Sequence, residues 1–330
     1  MRRREFVAGA VMFAAVTRVA AQPVANRRRL AIVDVSNLIS RMYEDSESHY
    51  RVLFTELRRL GQIEGQNLTV ERYGKEHNPS DLAAFAAQVV RSNPDVMFVL
   101  VPLSLFIKET SKIPIVTISG DPVAAGFAQS LARPGGNITG VSVDAGPSIH
   151  GKRIALLREM LPSMSRLGCI AGRIPWERGA EAAVRAAADA AGVSLVSQLV
   201  DLPGNATTYG NAIAQVARDG SDAIMVLDSP DVFANRVSIV QSIADTRIPA
   251  IHAFTSVVDA GGLMAYAFDL KEAMKRVADN INAILRGSNP ADIPYYQVSK
   301  FELSINLKTA NALGLAVPPT LLASAEKVVE

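Results

Sequence analysis

The feature that most constrains this chain is a rhythm. Short runs that are apolar on both faces alternate with stretches whose apolar residues recur at helical spacing. Leu30–Val35 reads as a buried strand, and Tyr50, Leu53, Phe54, Leu57 and Leu60 mark one face of a helix. Leu68–Arg72 is a second strand, and Leu82, Phe85, Ala86, Val89 and Val90 give the next helix its apolar face. Val96–Val101 and Ile113–Ile118 are continuous apolar strands with a helix between them. Strands of this kind belong in parallel sheets covered by helices on both sides.

After Gly140–Val143 the rhythm restarts. Ile154, Leu157 and Leu161 predict a helix, Leu167–Ala171 a strand, Ala180–Ala191 an Ala-rich helix and Leu195–Val200 a strand. Ala212–Ala217 falls on a helix, Ala223–Leu227 on a strand, Val232–Ala244 on a helix and Pro249–Ala253 on a strand. The punctuation of the two halves corresponds. Asp95 opens one strand–helix–strand unit that leads to Pro114; Asp222 opens another that leads to Pro249, at offsets of 127 and 135 residues. The fold class expected is α/β, with two Rossmann-like lobes and parallel sheets. No charged or Gly/Ser-rich linker separates the halves, which favours a hinge of crossing segments. The helix carrying Met274, Val277, Ala278, Ile281, Ile284 and Leu285 follows the second half and is expected to pack back on the first lobe.

The N-terminus reads as an address. Arg2-Arg3-Arg4 precedes an apolar run from Val7 to Val16, and Val19-Ala20-Ala21 supplies small residues for cleavage after Ala21. Arg3-Arg4-Glu5-Phe6-Val7 resembles a twin-arginine export signal, the alternative being an ordinary Arg-rich one. With no Cys at the cleavage site and no later run of membrane length, the expectation is a periplasmic chain without a membrane anchor. The net charge is +2, with Arg2, Arg3, Arg4, Arg18, Arg27, Arg28 and Arg29 all near the start. The remaining body is mildly acidic, and no basic stripe is left for nucleic acid. No helix-turn-helix precedes Leu30.

Catalytic and cofactor signatures are missing from the sequence. There is no GxGxxG, no GxxxxGK[ST] and no GxSxG. Cys169 is the only cysteine and lies in an apolar strand, where an inert buried thiol is the expected state. His49, His77, His150 and His252 are scattered, so neither a metal nor a cofactor is expected. Carboxylates stand at strand ends at Asp34, Asp121, Asp144 and Asp228, with no nucleophile paired to them.

Ligands of open parallel sheets bind beyond the carboxyl ends of the strands, and two facing lobes turn those ends into a cleft. The candidates are therefore Ser36 and Asn37, Leu103 and Ser104, and Gly120 and Asp121 in the first lobe. In the second they are Arg173 and Trp176, Asp228 and Ser229, and Phe254, with Tyr266 near the return crossing. Each has a structural alternative: Ser36, Ser104, Asp121 and Asp228 as helix caps or turn braces, Arg173 as a solvated cation and Trp176 as lobe packing.

Gly61-Gln62-Ile63-Glu64-Gly65-Gln66-Asn67-Leu68 resembles the "GY-x-EGQN" segment of the ABC-transporter substrate-binding family that includes tryptophan-binding members. So do Ile113-Pro114-Ile115-Val116 with Gly120-Asp121-Pro122-Val123, and the run from Ala132 to Ser142, which is similar to that family's "RPGGNVTGVS". Gly261-Gly262-Leu263-Met264-Ala265-Tyr266 and the segment from Phe301 to Leu322 complete the resemblance in order. It implies a type I periplasmic-binding fold with three crossing segments. Its divisions would be residues 1–21 as signal peptide, 22–144 with 267–295 as lobe 1, and 145–266 with 296–330 as lobe 2. It further implies a monomer that captures a small molecule by hinge closure and hands it to an ABC permease, without chemistry. Arg173-Ile174-Pro175-Trp176, Leu103 and Ala267 depart from the family pattern. Arg173, Trp176, Leu103 and Phe254 suggest a small carboxylate-bearing ligand with an apolar, aromatic or amino-acid-like body. A periplasmic sensor partner of a receptor and an exported α/β enzyme are the competing readings.

Overall fold

The structure is a computed structural model. It describes residues 27–330 except positions 36, 47–48, 78–80, 102, 145, 147 and 202. The expected export signal and Ser36 lie outside the described residues.

The strands are β1 (Arg28–Asp34), β2 (Leu68–Tyr73), β3 (Val96–Val101), β4 (Ile115–Ser119), β5 (Ile138–Ser142), β6 (Arg166–Gly172), β7 (Ser194–Val200), β8 (Ala223–Val226), β9 (Ala250–His252), β10 (Met264–Phe268), β11 (Tyr296–Gln297), β12 (Phe301–Asn306) and β13 (Ala325–Val329). They form a six-stranded sheet in the order β11-β5-β4-β3-β1-β2 and a seven-stranded sheet in the order β13-β12-β10-β9-β8-β6-β7. Every pairing is parallel except β10 with β12. This is the α/β architecture that the two-sided apolar runs predict.

The helices are α1 (His49–Arg59), α2 (Leu82–Arg91), α3 (Leu103–Glu109), α4 (Ser148–Met160), α5 (Arg173–Pro175), α6 (Glu181–Ala190), α7 (Ala206–Arg218), α8 (Pro230–Ala234), α9 (Arg236–Thr246), α10 (Ser256–Asp259), α11 (Leu270–Leu285), α12 (Leu307–Ala312) and α13 (Pro319–Ser324).

The alternation of side chains along each strand divides each lobe into two cores. In β1, Leu30 and Ile32 pack with Tyr50, Leu53 and Met274, whereas Ala31 and Val33 face Phe85, Val89 and Phe106. All four of these β1 residues are fully buried, and full burial of a Leu, Ile or Val side chain stabilises by roughly 1.5–3 kcal/mol. In the second sheet Leu167, Cys169 and Ala171 pack on one side, and Ile170 joins Ile224 and Val226 on the other.

Three crossings join the lobes: β5 to α4, β10 to α11, and β11 to β12. α11 packs on α1 and on β3, β4 and β5, as its apolar face predicts. β10 keeps its pairing through Phe268, and Tyr296–Gln297 pairs with β5 in the first sheet. The chain thus leaves the second sheet after Phe268 and the first sheet again after Gln297. The reason at the first is local: Asp269 accepts from the backbone N–H groups of Lys271 and Glu272, so the strand runs on until that cap starts α11.

Two local expectations change. The helix expected over Val232–Ala244 is broken at Asn235 into α8 and α9; the Asn235 amide donates to the Asp231 carbonyl at 2.9 Å and ends the first piece. The loop expected at 173–176 is a helical turn that continues through a π turn, Trp176–Ala180, into α6.

Candidate functional site

A chamber of about 400 Å³ lies between the lobes. Its walls are mainly the carboxyl ends of strands and the residues that follow: Asp34 from β1, Leu100 from β3, Thr117–Gly120 at β4, Val143 after β5, Asp228 and Ser229 after β8, Phe254 after β9 and Phe268 from β10. A parallel sheet presents its strand ends to one side, so one cleft collects residues far apart in sequence.

Two carboxylates face this chamber. Asp34 is 1% exposed and accepts from the Tyr50 hydroxyl at 2.9 Å and from the Asn37 amide at 2.8 Å. Burial, and then the Asp34 charge, push the Tyr50 phenol well above its ordinary range, so Tyr50 stays a donor. Asp228 is more open, and Arg153 Nη1 stands 3.6 Å from its Oδ1. Arg153 is buried, and its Nε donates to the Tyr266 carbonyl at 3.0 Å. Burial works against the charge of Arg153, and Asp228 is the first group that restores it.

An aromatic wall crosses the cleft. His49 meets Phe233 edge-on at 5.4 Å, Phe233 meets Phe254 at 5.2 Å, and Phe254 meets Phe268 at 6.3 Å. Burial lowers the His49 imidazole to about 4; Asp34 opposes that shift and Arg236 adds to it. His49 is therefore neutral at pH 7 and serves as a ring. The Ser119 hydroxyl is buried without a hydrogen-bond partner among the described residues, whereas the Ser229 hydroxyl accepts from Val232 N–H at 3.0 Å and is engaged with the Tyr209 side chain.

A second, outer chamber of about 690 Å³ adjoins the first. The two share Asn37, His49, Phe233, Phe254, Phe268 and Leu270. The outer one is lined by charged groups from both lobes, including Arg41, Arg236, Lys271, Lys327, Asp259, Asp269 and Glu302.

Of the residues that the sequence suggests, Asn37, Leu103, Gly120, Asp228, Ser229 and Phe254 come together at the deep chamber. Five do not. Ser104 lies on the exposed face of α3. Asp121 braces its turn, accepting from the N–H groups of Val123 at 2.8 Å and Ala124 at 3.0 Å. Arg173 is at the surface, paired with Asp201 at 2.6 Å. Trp176 is 3% exposed within the core of the second lobe, beside Ala171 and Leu227. The Tyr266 ring stacks on Phe301 at 5.9 Å. Two residues of the chamber, His49 and Phe233, come from helices and are not suggested by strand ends; Ser119 ends β4, one position before the suggested Gly120. Asp34 is visible in the sequence only as a strand-end carboxylate. Cys169 is fully buried, and burial pushes its thiol up to about 12.

Among the described residues, no group of three or more His, Cys, Asp and Glu could hold a metal ion, and no helix is long and apolar enough to cross a membrane. The fold and cleft together define a type I periplasmic-binding architecture with a chamber between its lobes. Residues 39–329 match the family described as ABC transporter substrate binding protein, and the chain belongs to that family. A tyrosine-binding protein of Clostridioides difficile (strain R20291) is 22% identical over 263 residues, covering 77% of this chain and 73% of the relative. Among solved structures, a conserved domain protein from Vibrio cholerae is 24% identical with a TM-score of 0.80, covering 91% of this chain and 99% of that one. An ABC domain from Streptococcus pneumonia in complex with L-Trp is 21% identical with a TM-score of 0.80, covering 92% and 100%.

Proposed function

We propose that this chain is the exported solute-binding component of an ABC importer and that its cargo is an aromatic L-amino acid or a close amine-bearing relative. The observation that carries this reading is the pairing of Asp34 and Asp228 from opposite lobes at one chamber, against an aromatic wall. An ammonium group between two carboxylates forms charge-assisted hydrogen bonds, and Phe233, Phe254 and Phe268 offer the edges and faces that an aromatic body stacks on. Among the described residues, no Lys or Arg lines the deep chamber, and His49 there is neutral. The ligand carboxylate is thus met by the neutral donor of Ser119 rather than by an Arg173 clamp. The tyrosine-binding relative and the L-Trp complex support the same ligand class.

In this reading the N-terminal segment directs export to the periplasm and is removed, and a ligand touching both lobes favours the closed arrangement about the three crossings. The closed form is what an inner-membrane permease receives, and the bound compound leaves unchanged. Mass spectrometry of small molecules released by denaturing the purified protein tests the proposal. A primary amine with an aromatic or bulky apolar body is expected. A sugar or an inorganic ion as the sole stoichiometric passenger overturns it.

A further inference from the structure

The outer chamber carries lysine and arginine side chains that the deep one lacks, and its carboxylates are already engaged. Asp259 pairs with Lys327, Glu302 pairs with Lys300 at 2.6 Å, and Asp269 caps α11. Two cations are left without a carboxylate partner among the described residues: Arg236 from the second lobe and Lys271 from the first. Arg41 lines the same chamber from the first lobe. The Arg236 guanidinium is fixed in place, donating from Nη1 to the Phe233 carbonyl at 2.8 Å and lying 4.6 Å from the centre of the Phe233 ring. Two hydroxyls in the chamber wall, Ser256 and Ser304, are buried without hydrogen-bond partners among the described residues, and Ser304 is 1% exposed. Burial and then Arg41 both disfavour the charge on Arg236, so cations of the two lobes stand close enough to repel one another.

From this arrangement we infer that the outer chamber is an anion subsite, which takes a carboxylate or phosphate at the far end of the same ligand whose ammonium group sits in the deep chamber. Arg236 and Lys271 clamp that group from opposite lobes, and the Ser304 hydroxyl donates to it. The ligand body crosses the aromatic residues shared by the two chambers. The inference rests on the amine-binding reading of the deep chamber, and extends the ligand class to aromatic amino acids with a second, distal anion.

Calorimetric titration of the full chain with four compounds separates the two claims. L-phenylalanine probes the deep chamber alone. 4-Carboxy-L-phenylalanine and O-phospho-L-tyrosine add a distal anion, and 4-carbamoyl-L-phenylalanine adds a neutral group of similar shape. The anionic compounds are expected to bind at least tenfold tighter than the carbamoyl compound. That preference, rather than absolute affinity, is expected to collapse in both Arg236→Gln and Lys271→Gln; Lys271 does not line the deep chamber, so its variant is free of any disturbance to Phe233. If neither anion outbinds the neutral analogue, or if the preference survives both substitutions, the anion subsite is overturned while binding of L-phenylalanine keeps the deep-chamber reading intact. If L-phenylalanine and all three analogues fail to bind, the deep-chamber reading falls and the subsite with it.

Discussion

At the scale of single residues, position in the sheet decides role. Trp176 and Asp228 both follow strands of the second lobe, yet one fills a core and the other faces the cleft. Trp176→Ala is therefore expected to cost about 3–5 kcal/mol of stability, read by denaturant unfolding, with ligand affinity within twofold of the parent. A large loss of affinity at unchanged stability would contradict that division. Gly140 shows a different constraint. A Cβ there would stand 2.0 Å from the Thr117 carbonyl oxygen, at a φ of +156°. Thr117 and Gly140 are register partners of β4 and β5, and Thr117 also lines the deep chamber. Gly140→Ala is expected to destabilise by about 2 kcal/mol or more and to weaken ligand binding as well, because the strand end carrying Ser119 must shift.

At the scale of elements, what the sequence made legible was whatever rests on local periodicity. β3 spans Val96–Val101 as expected, because a run apolar on both faces has one good destination. The turn at Arg173–Pro175 was not legible: Pro175 reads as a breaker, but a proline is tolerated in the first turn of a helix, where its missing N–H costs nothing. That misplaced turn is what hid the burial of Trp176. β11 has two residues, and its place beside β5 follows from a long-range return of the chain, so no local pattern announces it. The site was legible in the same measure. Strand-end candidates such as Asp228 and Phe254 could be located, whereas His49 and Phe233 reach the cleft from helices whose orientation depends on the packing of whole lobes. Asp269 joins element to crossing, since its side chain both caps α11 and marks the end of β10. Asp269→Ala is expected to lower stability by about 1 kcal/mol, seen as a shift of the urea midpoint at constant slope; an unchanged midpoint would mean that the cap contributes nothing.

At the scale of the whole molecule, burial of imidazoles makes the fold sensitive to acid. Burial lowers His49 and His150 to about 4 and His252 to about 3, with Arg153 adding to the shift of the latter two. The unfolded chain takes up protons near the ordinary value of 6.5 while the native state does not. The stability these residues contribute is thus whole above pH 6.5 and falls as the pH drops toward 3–4. The melting temperature is expected to decline steadily from pH 7 to pH 4, and a flat profile across that window would contradict the neutral burial of these groups. Most of what the molecule is proposed to do, however, depends on the chamber between its lobes. Calorimetric titration of L-phenylalanine, L-tyrosine and L-tryptophan into the parent and Asp228→Asn proteins tests this most directly. The account predicts one-to-one binding of at least one of the three by the parent, weakened at least tenfold, about 1.4 kcal/mol, in the variant. Absence of binding by all three, or equal affinities in the two proteins, would contradict it.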